Sequence, residues 1–119
     1  MRKIVTKFGG SSLADAGQFA KVKDILLMID GRMYVVPSAP GRRFKEDDKV
    51  TDLLYRCYNQ HAAGEDFSET FARIAARYQG IAQELRLKVD IAAALNEVKE
   101  KIASGASKDY CASRGEFYI

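Results

Sequence analysis

The segment from Lys3 to Val36 constrains the fold more than any other, because it alternates strand, helix and strand before the pattern changes. Lys3–Phe8 reads as a strand, with the β-branched Ile4, Val5 and Thr6 in succession. Gly9-Gly10-Ser11-Ser12 then breaks it. From Asp15 to about Asp30 the apolar residues Phe19, Val22, Ile25, Leu26 and Ile29 recur at helical spacing. Asp15 stands where an acidic first turn is favoured, and Gly31 follows as a helix stop. Met33-Tyr34-Val35-Val36 gives a second short strand, read as buried and ended by Pro37. A strand–helix–strand unit implies two parallel strands joined by a right-handed crossover. Both strands lead at their C-terminal ends into loops, where open α/β sheets bind ligands.

The remainder is helical. Val50–Ala63 carries Val50, Leu53, Leu54, Cys57 and Tyr58 on one side and ends at Gly64. Phe67, Phe71, Ile74, Tyr78, Ile81 and Leu85 then alternate steps of four and three, and Ile91, Leu95, Val98 and Ile102 form a third stripe closed by Ser104-Gly105. Two stripes with a short break between them imply helices packed on each other inside the domain rather than a face for a partner. Gly80, in mid-helix, costs about 1 kcal/mol relative to alanine, which suggests a close helix–helix approach there. Lys108–Ile119 begins a further helix.

Composition excludes several classes. With 47% hydrophobic and 29% charged residues the chain can bury a core, and a net charge of +3 spread along it argues against a nucleic-acid surface. No apolar run approaches the roughly 20 residues that cross a bilayer, and no signal peptide is visible. Cys57 and Cys111 lack C-x-x-C spacing and read as reduced, buried thiols of a cytoplasmic protein. With His61, a helix-surface residue, they make no recognisable zinc set, so no metal site is expected. Arg42, Arg43 and Lys45 form a basic loop, either solvated or suited to an anion; Asp47, Asp48 and Lys49 read as solvated charges.

The chemistry concentrates at the first strand's end. Lys7 precedes Phe8, two glycines and two serines. Glycine lets main-chain N–H groups approach a phosphate, the lysine can reach the same anion, and the following helix adds its positive end. This is not a Walker A loop, in which the lysine follows the glycines. Taken singly, the Gly-Gly turn is equally well explained by sterics.

Two more segments change the balance. Lys7–Ser12 (KFGGSS), Ser38–Gly41 (SAPG) followed by Lys49–Leu54 (KVTDLL), and Ser113–Glu116 (SRGE) occur in that order. Together they resemble the N-terminal part of aspartokinases, members of the amino acid kinase family, from Lys3 to the last residue. The longer Gly41–Lys49 loop is similar to one branch of that family.

That resemblance implies an α/β fold: an incomplete α/β/α sandwich of the amino acid kinase type. Residues 1–119 would be the opening part of its catalytic domain, without the nucleotide-binding second half or regulatory domains. The implied activity is ATP-dependent phosphorylation of the side-chain carboxylate of L-aspartate to 4-phospho-L-aspartate, the first step of lysine, threonine and methionine biosynthesis, and an isolated piece would be inactive. By motif position, Lys7 would be catalytic, and Lys7, Phe8, Gly9, Gly10 and Ser11 would hold ATP, with Mg2+ carried on its phosphates. Ser38, Thr51 and Glu116 would contact aspartate. Residue types alone leave Thr51 equally a helix N-cap and Glu116 a solvated carboxylate. The parent enzyme would be a cytoplasmic homo-oligomer. The alternatives are a non-catalytic phosphate- or protein-binding module and a sibling kinase with another acceptor.

Overall fold

The computed structural model describes residues 3–29 and 32–119. Strand β1 (Lys3–Lys7) lies parallel to β2 (Arg32–Val36), with Lys3 opposite Arg32 and Lys7 opposite Val36. A 3-10 turn (Gly10–Leu13) and helix α1 (Ala16–Leu27) connect them. Four helices follow: α2 (Val50–Ala62), α3 (Ser68–Glu84), α4 (Ile91–Ala103) and α5 (Lys108–Phe117).

Local chemistry sets these boundaries. Asp15 caps α1, its carboxylate accepting from the Gln18 N–H at 2.9 Å, and Asp90 and Ser107 cap α4 and α5 in the same way. Gly64 and Gly105 leave α2 and α4 at φ of 75° and 92°, the left-handed region where a side chain is strained. Helix α1 ends at Leu27, short of the expected Asp30; Asp30 and the expected stop at Gly31 lie outside the described residues.

The main core cluster is built from the helices. Val50, Leu53, Leu54 and Cys57 of α2, Phe67, Phe71, Ile74 and Tyr78 along α3, Leu95, Val98 and Ile102 of α4, and Cys111 of α5 form one cluster. The apolar stripes thus pack on each other, as their spacing predicts. The strands differ from expectation. Val5 is 70% exposed, and Tyr34, Val35 and Val36 are exposed as well. None of them joins the core cluster, because two strands form a ribbon too narrow to be covered on both faces.

Gly80 also departs from its reading. A Cβ there would meet nothing within 4 Å, so no close approach explains it. The tight glycine is Gly115, whose Cβ would stand 2.8 Å from the Ala39 Cβ and 3.3 Å from Val50 Cγ1.

Candidate functional site

The site grows from two loops held together by their glycines. The backbone after β1 and the backbone after β2 meet where the Gly41 N–H donates to the Gly10 carbonyl at 2.7 Å. A Cβ on Gly41 would lie 2.6 Å from the Gly10 carbonyl carbon, so only glycine permits this contact. The Val50 N–H donates to the carbonyl of the buried Pro40 at 3.0 Å, which docks the start of α2 on the second loop. Helix α5 reaches the same loop at Gly115, where the Tyr78 hydroxyl donates to the Gly115 carbonyl at 2.5 Å. Glu116 follows directly.

Between these pieces lies a cleft of about 470 Å³. It brings together Gly10, Ser11, Ser38, Thr51 and Glu116, with Arg42 and Lys49 on its wall. Three sequence-distant motifs therefore converge on one hollow. Lys7, Phe8 and Gly9 do not line it. Lys7 is exposed at the end of β1, and the Phe8 N–H is engaged by the Val36 carbonyl at 3.0 Å. Thr51 is the second residue of α2 and not its N-cap; Lys49 holds that position and offers no side-chain hydrogen bond. Thr51, in the first turn of α2, lines the cleft beside Lys49. The wall presents hydroxyls, two cations and one carboxylate, a set complementary to a small molecule carrying both an ammonium and anionic groups.

Arg42, which residue types leave either solvated or suited to an anion, lines the cleft, and so does Lys49, expected as a solvated charge. Asp47 and Asp48, expected as solvated charges, are not: both are engaged by arginines. Asp47 is buried at 8% exposure and accepts from Arg43 Nε at 2.6 Å, Arg43 Nη2 at 2.9 Å and the Arg43 N–H at 3.0 Å. Asp48 pairs with Arg73 and, at 3.6 Å, with Arg56. Arg43 is therefore committed to its own loop. The hydrogen bonds from its guanidinium, opposed by burial and helped by the nearby Arg77 charge, hold the Asp47 carboxyl well below the usual carboxylate range.

A carboxyl depressed on folding stabilises the fold above its unfolded value and loses that contribution as pH falls through its folded value. The fold should therefore weaken as pH drops below about 4. Asp47→Asn should remove about 2 kcal/mol at pH 7, between the figures for exposed and buried pairs. Urea midpoints at pH 7 and pH 3 test this: the gap between wild type and variant should narrow at the lower pH. A gap independent of pH would refute the ion-pair account.

The two thiols take no part in the site. Burial raises Cys57 to about 12 and Cys111 in the same direction, so neither is a ready nucleophile. His61 packs edge-on against Phe67, with ring centroids 5.7 Å apart. Among the described residues no group of three or more His, Cys, Asp or Glu could hold a metal, and no helix is long and apolar enough to cross a membrane.

No family model matches the chain. Among curated proteins, 83 residues, or 70% of the chain, are 47% identical to aspartokinase 3 of Bacillus subtilis (strain 168), of which they span 18%. Among solved structures, Clostridium acetobutylicum aspartate kinase superposes with a TM-score of 0.91 at 52% identity, over 94% of this chain and 26% of that one. E. coli aspartokinase III in complex with aspartate and ADP superposes at 0.74 with 27% identity, over 98% of this chain and 26% of its own.

Proposed function

The chain belongs to the aspartokinase family, and from that premise we propose that it supplies the aspartate pocket and part of the phosphate site of an enzyme that transfers the γ-phosphoryl group of ATP to the side-chain carboxylate of L-aspartate. In this reading residues 1–119 form the opening part of the catalytic domain. The observation that carries it is the cleft itself, where Gly10, Ser11, Ser38, Thr51 and Glu116 meet although they come from motifs far apart in sequence. The structure of the E. coli relative with aspartate and ADP lends the ligand classes.

The reaction asks little covalent chemistry of the protein. The acceptor carboxylate is already ionised at neutral pH. One of its oxygens forms the new bond to the γ-phosphorus, the bond to the β–γ bridging oxygen breaks, and ADP leaves without any proton having to move. What remains is alignment and charge neutralisation. Glu116 would receive the substrate's α-ammonium, and Thr51 and Ser38 would offer hydroxyls to its carboxylates. Gly10 and Ser11 would turn N–H and hydroxyl donors toward the phosphates, with Phe8 and Gly9 shaping the approach and Lys7 balancing charge on the group in transfer. Mg2+ enters as the ion ATP brings; this chain offers it no three-ligand cluster among the described residues.

Hydroxylamine supplies the test, because it traps an acyl phosphate as a hydroxamate. The intact enzyme with Mg-ATP and aspartate should yield aspartyl hydroxamate. Glu116→Ala should raise the KM for aspartate about 10- to 100-fold, the size of a lost charge-assisted hydrogen bond, and change kcat less. Hydroxamate from glutamate but not from aspartate would overturn the substrate assignment and favour the sibling-kinase reading.

A further inference from the structure

Arg77 lies outside the cleft, yet it touches the backbone behind three of the four segments that line it. It sits on α3 at 7% exposure. Its Nη2 donates to the Ala14 carbonyl at 2.9 Å and to the Gly41 carbonyl at 2.6 Å. Its Nη1 donates to the Asp48 carbonyl at 3.0 Å and lies 3.4 Å from the Asp47 carboxylate. Ala14 closes the turn that begins with Gly10 and Ser11. Gly41 belongs to the loop that carries Ser38 and Arg42. Asp48 directly precedes Lys49, which stands two residues before Thr51. One guanidinium thus ties together three of the four segments that line the cleft, all but the α5 segment that carries Glu116.

Packing alone does not ask for an arginine here. A buried cation is costly unless its hydrogen bonds are made, and an apolar side chain of similar length would fill the position without that cost. The planar fork offers what an apolar residue or a lysine lacks: donors in fixed directions that satisfy three carbonyls at once. Its Nε has no hydrogen-bond partner among the described residues, and the side chain borders a hollow of about 80 Å³ lined by Ala14, Asp15, Arg43 and Gly80. The donors are spent on the loops and not on the helix that bears them. We propose that Arg77 is a positioning residue that sets the register of these three cleft-lining segments. Its catalytic consequence rests on the kinase reading above.

The test uses Arg77→Lys and Arg77→Met in the intact enzyme, with Ile74→Ala as a control that weakens the same helix through the core alone. Each variant is assayed well below its own melting temperature, with folding verified by circular dichroism. Both Arg77 variants should lower kcat at least tenfold and raise the KM for aspartate about tenfold, since misplacement near 1 Å costs up to about 100-fold in rate. Ile74→Ala, despite a comparable fall in Tm, should keep both constants within about twofold of wild type.

Amide exchange gives a readout that does not depend on which reaction is catalysed. Arg77→Lys should speed exchange together around Ala14, Gly41 and Thr51, whereas Ile74→Ala should not. If both Arg77 variants keep wild-type constants and slow exchange at those segments, the proposal is wrong. If wild type makes no hydroxamate but the three segments still loosen together, the positioning role stands and the kinase reading fails.

Discussion

Gly41→Ala is expected to destabilise the fold by about 3–4 kcal/mol, the sum of overpacking and the loss of buried hydrogen bonds. The added Cβ would lie 2.6 Å from the Gly10 carbonyl carbon, 2.8 Å from the Ser11 nitrogen and 2.9 Å from the Gly10 oxygen. All three are backbone atoms, so no side chain can swing aside, and the loops themselves must separate. Separation breaks the 2.7 Å bond from Gly41 to Gly10 and draws the Gly41 carbonyl away from Arg77. Gly9→Ala makes the natural comparison. It sits at φ −72° with nothing within 4 Å of a new Cβ, and its substitution should change stability by less than about 0.5 kcal/mol. Urea midpoints of the two variants decide the matter; equal midpoints would show that the loops do not depend on the glycine contact.

That contrast shows where the sequence was legible. Side-chain periodicity is a local property, so the faces of α2, α3 and α4 could be read directly: Leu53, Ile74 and Val98 are buried where the stripes put them. The start of α1 near Asp15 is legible for the same reason, although the residue expected in an acidic first turn proves to be the cap. Burial of the strands was not, because a run such as Tyr34-Val35-Val36 announces a strand without announcing what covers it. Long-range pairing was hidden too. Asp47 looks like one of several loop charges until Arg43 folds back on it and Arg77, thirty residues on, arrives from α3. The glycines divide in the same way. Gly80 stood out by its place in a helix and proves open, while Gly115 is tight only because α5 crosses the loop at Ala39.

The cleft was partly legible, and only through motifs. Gly10, Ser11, Ser38, Thr51 and Glu116 share one hollow because the loops that carry them converge, a fact no spacing rule contains. Nothing in KVTDLL distinguishes a lysine facing a cleft from one facing water, so the place of Lys49 in the lining is not legible from sequence.

The proposed function makes its sharpest claim at Lys7. Lys7→Ala in the intact enzyme should lower kcat by about 100- to 1,000-fold or more, the range for removing one donor to developing charge. It should do so without a stability cost beyond about 0.5 kcal/mol, because the side chain is exposed and the strand pairing runs through its backbone. Lys7→Arg should recover little, since a broad planar fork does not substitute for a compact ammonium on a flexible stem. The position tests the reading hard, because Lys7 stands at the end of β1 opposite Val36 and outside the lining of the cleft. Its role therefore requires the transferred phosphoryl group to lie at the strand end, beyond the pocket that holds the acceptor. A Lys7→Ala enzyme with wild-type kcat would move that group inward, to the cations already on the cleft wall. Arg42 and Lys49 would then be the residues balancing its charge.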